Sequence, residues 1–273
     1  MRHHRRGYLV SGPGQGVLLP RRAGVGLCTL ANNHALDAGP EGLLDTLDIL
    51  RSHGIASVGA GEDAKAAWTP AMLQVAGQRL GVLACCDHQP DFAAGPHTPG
   101  IAHLDVADTA QVDVLLGRVR SLAAAVDHAI VALHWQPNWV PRVTADYQSL
   151  AQRLVEAGAR LVWGHSPHHF LGVQWLGSSV VLYSTGGLID DYAVDAEFRD
   201  DRQLLFEIGL APDGVQRVRA LPLELDFAVT ALAKGAVRQW IVDRFAAQCR
   251  THGSALADDS DWLTVSPALH CRP

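Results

Sequence analysis

Three short polar clusters rich in histidine stand directly after apolar segments of this chain. They are Asn32-Asn33-His34, His134-Trp135 and His165-Ser166-Pro167-His168-His169. The apolar segments before them are typical of strands. In an open α/β sheet, ligands bind at the edge where the strands end. We therefore expect the clusters to come together although they are far apart in the sequence.

His165 and His168 are the leading candidates for metal ligands among these residues. They are three positions apart with Pro167 between them, on a tight loop that can aim two imidazoles at one point. Imidazole suits zinc-, manganese- and iron-class ions, and an asparagine carbonyl oxygen is a harder ligand that such divalent ions accept. A single histidine is more often a surface or core residue than a ligand. Three loop-borne clusters favour a metal site.

The rest of the chain predicts the frame that must position these loops. Residues 1–24 have no clear period and are expected to be irregular, whereas residues 25–273 alternate apolar strands with amphipathic helices, as in one layered α/β domain. Strands are expected over 129–133 and 160–163, just before the histidines. Helices are expected over 40–53, 106–124 and 229–249, and after Thr144, whose side chain suits an N-cap.

Composition and charge exclude several classes of protein. Of the 273 residues 48% are hydrophobic and 18% charged, and the formal net charge of −6 gives no reason to expect nucleic-acid binding. The five cysteines, two of them adjacent and none in a CxxC pair, fit reduced thiols in a cytoplasmic protein. No apolar stretch approaches the ~18 residues that cross a bilayer. The basic start lacks the apolar segment of a signal peptide.

Several segments resemble the CapA family of bacterial capsule synthesis, which is associated with poly-γ-glutamate. The longest runs from Leu30 to Asp37 and continues to Leu47, and it resembles the family stretch LANNHxLD…G…GLLDTL. Shorter matches include Leu133-His-Trp135 and Gly164-His-Ser-Pro-His168. The resemblance extends from about residue 26 to at least residue 210, and its motifs are specific in combination.

This resemblance implies a calcineurin-like metallophosphoesterase, a four-layer α-β-β-α sandwich with one or two divalent metal ions held between loops. By position, Asn33, His134, His165 and His168 would be metal ligands, and His34 would be a proton donor beside the scissile group. In such sites the metal polarises a phosphoryl oxygen and lowers the pKa of a bound water. A histidine near the leaving oxygen supplies general-acid catalysis.

The sequence departs from the family pattern in its first 36 residues. The family opens with a strand that ends in Gly-Asp and later carries Asn-Leu-Glu, which supply carboxylate ligands, whereas no Asp or Glu here precedes Asp37. Two cations held close together normally need a bridging carboxylate to offset their repulsion. The resemblance therefore predicts a sandwich that lacks its first strand or strands, with an incomplete metal site.

Two functions follow from these observations. The first is a metal-dependent hydrolase acting on a phosphoester or on a small-molecule or polymer substrate related to poly-γ-glutamate. The second is a non-catalytic family member that binds metal or joins other capsule-synthesis proteins. The sequence does not separate the first from a polyglutamate-directed amidase or ligase component. Trp135 and Trp139 flank the candidate site, where they either stack on substrate or pack against the sheet.

Overall fold

The computed structural model of the chain describes residues 18–189, 193–227 and 229–268. In chain order the first elements are α1 (Leu18–Arg22), β1 (Leu27–Thr29), α2 (Gly39–Ser52), β2 (Ala56–Val58), β3 (Ala60–Gly61), α3 (Ala64–Ala67), β4 (Ala71–Val75), β5 (Gln78–Cys86), β6 (Gly100–Ile101) and α4 (Thr109–Ala125). The later elements are β7 (His128–His134), α5 (Ala145–Glu156), β8 (Ala159–His165), β9 (Val173–Leu176), β10 (Ser179–Leu182), β11 (Arg202–Ala211), β12 (Gly214–Asp226), β13 (Val229–Leu232), α6 (Gly235–Thr251), β14 (Ser254–Asp259) and β15 (Trp262–Pro267). The predicted α/β class is confirmed.

The chain forms two compact units. Among the described residues, 18–73 and 82–112 make the first unit, and 74–81 and 113–268 make the second. Each unit is described by itself below. The single domain predicted for residues 25–273 stays a prediction. In the described part of the chain, none of the helices is both long and apolar enough to span a membrane.

The first unit contains a strand–helix–strand segment that leads into the first polar cluster. β1 and β2 pair in parallel, and α2 connects them, as the apolar period of residues 40–53 predicts. Pro40 lies in the first turn of α2, where its missing N–H leaves no hydrogen bond unmade. Leu50 of α2 and Ile55 are both buried in one small core cluster.

The second unit carries the parallel strands that end at the other two clusters. β7 pairs in parallel with β8, and β8 pairs in parallel with β10. β9 pairs antiparallel with β10, so that these four strands lie in the order β7-β8-β10-β9. The carboxyl ends of β7, β8 and β10 therefore lie at one edge, so that residues following these strands are neighbours.

A second sheet packs against the first inside this unit. Its order is β11-β12-β15-β14, with β13 paired to β12. Side chains of both sheets and of α6 share one buried core, which includes Leu161, Val180, Val218, Phe245 and Leu263. Successive side chains of a strand point to opposite faces. One face of β8 therefore meets this core, and α5 packs against β8 as well.

One sequence prediction fails at the end of the chain. The helix predicted over 229–249 begins only at Gly235, because residues 229–232 form β13 in an antiparallel hairpin with β12. Pairing with β12 gives these backbone groups partners, which outweighs the local helical pattern. β14 and β15 were not predicted. Of the segment 1–24 expected to be irregular, residues 18–22 form α1, and residues 1–17 lie outside the described residues.

Candidate functional site

The second unit brings two of the predicted metal ligands into direct contact. His134 and His165 are the last residues of β7 and β8 and are register partners in this parallel pair. Their Nδ1 atoms lie 3.0 Å apart, and their ring centroids are 5.0 Å apart at 63°. His134 is buried and His165 half-buried. The clusters that begin at His134 and His165 therefore meet at the sheet edge, as the sequence predicts.

Close packing of two neighbours fixes the backbone under this histidine pair. A Cβ at Gly164 would lie 2.4 Å from the indole nitrogen of Trp135 and 2.3 Å from the carbonyl oxygen of Tyr183. Only glycine leaves room there, and the Trp135 indole donates to the Tyr183 carbonyl at 2.9 Å. The Trp135 ring also stacks on the Tyr183 ring. Trp135 is fully buried, so of its two predicted roles the structure supports packing.

The loop after β8 presents His168 in a constrained conformation. Both Ser166 and His168 have positive φ, at 116° and 66°, a region that non-glycine residues adopt rarely and mostly at functional or strained sites. The His168 ring stacks on Trp139 with ring centroids 5.2 Å apart at 23°. Trp139 itself has φ 61°, and its backbone N–H donates to the Pro167 carbonyl at 3.3 Å. Trp139 therefore supports a candidate ligand directly.

His169 differs from His168, because its side chain is buried and contacts backbone carbonyls instead of pointing to a candidate site. It is buried, with Nε2 3.0 Å from the Val140 carbonyl oxygen and Nδ1 3.1 Å from that of Phe170. Burial, with the nearby Arg244 charge, lowers the pKa of His169 to about 4. The imidazole is therefore neutral at physiological pH, and its role is to hold the two loops together.

The first unit holds the Asn33 and His34 cluster just after β1. The His34 backbone N–H donates to the Asn32 side-chain oxygen at 2.9 Å, which closes a local turn. His34 Nδ1 lies 2.7 Å from a carboxylate oxygen of Asp37. Because a carboxylate only accepts, Nδ1 carries the proton and Nε2 is the nitrogen that remains for chemistry. His34 is exposed and Asn33 is half-buried.

The described donors of the second unit fit a divalent ion in chemistry and spacing. Two nitrogens that bind one ion at ~2.0–2.1 Å stand ~3–3.4 Å apart, and His134 and His165 offer such a pair at 3.0 Å. Imidazole donors suit zinc- and other transition-metal-class ions. Asn33 and His34 belong to the first unit, and their roles as metal ligand and proton donor stay predictions.

Some residues with possible roles were missed or misjudged from the sequence. His88 Nδ1 contacts the carboxylate of its neighbour Asp87, and burial lowers the pKa of His103. Burial raises the pKa of the Cys86 thiol to about 12. The burial of His103 arises from tertiary contacts, which no local sequence pattern marks.

Asp200 and Asp201, the acidic residues just before β11, have partners in their own segment. The Asp200 carboxylate accepts from the Asp195 backbone N–H at 2.7 Å, and Asp201 pairs with Arg199. Asp190 and Asp191 lie outside the described residues. The ring of His168 stacks on Trp139, and its carbonyl accepts from Gln203 Nε2 at 2.8 Å. A lone glutamine in an apolar segment gives no sequence signal for such a role.

The fold and the histidine pair together define an α/β protein with a candidate metal site at the carboxyl ends of parallel strands. The sequence model of the family described as "Bacterial capsule synthesis protein PGA_cap" matches residues 3–192. The chain belongs to this family, and the resemblance to CapA drawn from its motifs is confirmed.

Individual relatives agree with the family match. A "Probable polyglutamine synthesis accessory protein" of Mycobacterium tuberculosis is 32% identical over 261 residues, which cover 89% of this chain and 67% of that protein. "PGA biosynthesis protein CapA" of Bacillus subtilis is 27% identical over 206 residues, which cover 75% of this chain and 52% of that protein. The chain thus spans about half the length of this CapA relative.

One solved structure supports the fold assignment. A hypothetical protein from Thermus thermophilus aligns with a TM-score of 0.50 at 17% sequence identity, over 77% of this chain and 81% of that chain. At this level of identity the likeness concerns the fold alone.

Proposed function

We propose that this chain is a divalent-metal-dependent hydrolase with a phosphoesterase-type site, acting in capsule or poly-γ-glutamate metabolism. The observation that carries the proposal is the 3.0 Å separation of the His134 and His165 Nδ1 atoms at the ends of two in-register parallel strands. A third imidazole, His168, is held on the loop that follows β8. The names of the relatives support the pathway.

In this proposal each residue has a distinct task. His134, His165 and His168 hold the ion, and Asn33 joins them as an oxygen ligand on the strength of the family resemblance. A bound divalent ion would supply Lewis acidity toward a phosphoryl or carbonyl oxygen. His34, oriented by Asp37 through Nδ1, would give a proton to the leaving group from Nε2 when the ring is in its doubly protonated imidazolium form. The substrate class is a phosphoester or a bond in a polyglutamate-type polymer.

A second candidate function is a non-catalytic metal-binding member that acts as a partner of other capsule-synthesis proteins. The observation that favours it is that the two candidate ligands in direct contact, His134 and His165, are both imidazoles and not carboxylates. Without a bridging carboxylate a pair of ions repels strongly. A single ion bound by neutral imidazoles would then be the expected state. Turnover by the metal-loaded chain therefore separates the two candidates.

The test combines metal content with turnover. The purified chain is loaded with Mn²⁺ or Zn²⁺ and analysed for metal, beside His134→Ala, His165→Ala and His168→Ala, with the exposed His97→Ala as the matched control. We expect bound metal in the wild type and in His97→Ala, and its loss in the other three. Unchanged metal content in the three variants would overturn the site. Chelator-sensitive hydrolysis of bis(p-nitrophenyl) phosphate or of a γ-linked glutamate oligomer supports the hydrolase. Metal-loaded protein that hydrolyses neither substrate would contradict the hydrolase and favour the non-catalytic member.

A further inference from the structure

Gln203, the second residue of β11, connects three segments of the second unit through its side-chain amide. It is fully buried. Nε2 donates to the carbonyl oxygens of His168 and Asp200, both at 2.8 Å. Oε1 accepts from the backbone N–H of Gly187 at 3.2 Å. Both amide hydrogens and the amide oxygen therefore have partners, and the strand is tied to the loop that carries His168.

The neighbouring backbone is shaped to receive this amide. A Cβ at Gly186 would lie 1.8 Å from the Gln203 Oε1 atom, and Gly186 has φ 67°. Any other residue at 186 would therefore clash with the amide and adopt an unfavourable backbone conformation. The Gln203 amide fills the space that the missing side chain of Gly186 leaves open. The two residues are therefore closely matched in shape.

The loop beneath His168 has its successive carbonyls held by donors from other segments. The Pro167 carbonyl accepts from the backbone of Trp139 and the His169 carbonyl from the Ser184 hydroxyl at 2.7 Å. The His168 carbonyl, between them, is held by Gln203. Since His168 has φ 66°, its conformation persists only where the surroundings hold it. The Gln203 bond fixes the peptide plane that follows His168, and with it the direction of the side chain.

We propose that Gln203 is the positioning residue of His168, acting through the His168 carbonyl to hold the imidazole where it can bind metal. The position of Gln203 beside His168 follows from the described contacts. Its effect on metal binding rests on the proposed metal site. Glutamine is required because it offers two donors and one acceptor. Leucine would leave two buried carbonyls without donors, and glutamate would face them with a carboxylate.

The test uses Gln203→Leu and Gln203→Glu, with Val218→Ala as the matched control. Val218 is fully buried in the core of the same second sheet, so its variant loses stability without touching the His168 loop. Two readouts are taken at a temperature where all variants are folded by circular dichroism. The first is the ring C–H resonance of His168 in chelator-treated, ¹³C-histidine-labelled protein, assigned with His168→Ala. The second is the affinity for Co²⁺.

We expect the His168 resonance to move in both Gln203 variants and to stay in place in Val218→Ala. We also expect Co²⁺ affinity to fall about 10–100-fold in the Gln203 variants, as when outer-sphere supports of metal ligands are lost, and to be unchanged in the control. An unmoved resonance overturns the inference, and so does a moved resonance with unaltered Co²⁺ affinity. Absence of Co²⁺ binding in the wild type overturns the proposed metal site instead, and the resonance then decides the role of Gln203 alone.

Discussion

The Nδ1 atoms of His134 and His165 face each other at 3.0 Å across β7 and β8. Both residues end their strands and are register partners, so the backbone pairing itself brings the two imidazoles together. At this distance the two nitrogens either share a proton or bind a common ion. In both arrangements the two rings act together. Loss of one imidazole therefore removes most of what the other contributes to metal binding.

That coupling gives a first prediction for metal binding. His134→Ala and His165→Ala should each lower the affinity for Zn²⁺ by more than the ~10–100-fold that loss of an outer-sphere partner costs. The double variant should be little worse than either single one, because residues that share one ion are not additive. Isothermal titration calorimetry measures all four proteins. His128→Ala removes another buried histidine of this unit and should bind Zn²⁺ normally, and additive losses in the double variant would contradict a shared ion.

The contact between His34 and Asp37 gives a prediction about catalysis. Asp37→Asn removes the charge that holds the His34 Nδ1 proton, so the proposed proton donor loses its fixed tautomer and orientation. We expect kcat toward a phosphodiester to fall about tenfold or more, which is part of the ~10²–10⁴-fold that general acid–base catalysis contributes in full, with little change in KM. Asp45→Asn, on the exposed face of α2, is the control. Equal kcat values for the Asp37 variant and the wild type would remove His34 from the mechanism.

The strands leading to the histidines could be predicted, whereas the supports of the site could not. The apolar runs 129–133 and 160–163 end where His134 and His165 stand, and parallel strand ends meet at one edge, so this part followed from local pattern. Gln203 lies 35 positions from His168, and nothing in its own segment reveals that contact. The wrong helix over 229–232 has another cause, because this segment forms a local antiparallel hairpin with β12. The contact of Gln203 with His168 depends on long-range packing.

Packing in the first unit gives a stability prediction. Gly59 has φ 88°, and an added Cβ would lie 2.6 Å from the Cβ of Ala31 and 2.9 Å from that of Ala84, both buried. Gly59→Ala should therefore destabilise the protein by about 3 kcal/mol, the sum of a left-handed backbone cost and an overpacking cost. Gly54 has φ 72° with no atom within 4 Å of its added Cβ, and Gly54→Ala should cost only about 1 kcal/mol.

Urea unfolding followed by circular dichroism measures both glycine variants. Because Gly54→Ala shares the positive φ but lacks the close contacts, the difference between the two variants isolates the packing term. Equal losses of unfolding free energy would show that the core around Ala31 yields to the extra methyl group. A larger loss in Gly54→Ala would contradict the described packing altogether.

His252 gives a prediction for the pH dependence of stability. Its ring lies 4.5 Å from that of Tyr183, and burial lowers the pKa of His252. The unfolded chain, where histidine has a pKa of ~6.5, therefore binds more protons than the folded chain just below that pH. The contribution of His252 is fully present above pH ~6.5 and is lost as the pH falls through the folded pKa.

His252→Phe keeps a ring against Tyr183 but removes the titrating group. The unfolding free energy of this variant should accordingly fall less than that of the wild type between about pH 7.5 and about pH 5, measured by urea titration at each pH in the presence of chelator. His97→Gln removes an exposed histidine and should retain the wild-type dependence. If His252→Phe follows the wild-type curve across this range, the imidazole is protonated equally in the folded and unfolded chains, and the burial described for it does not govern its charge.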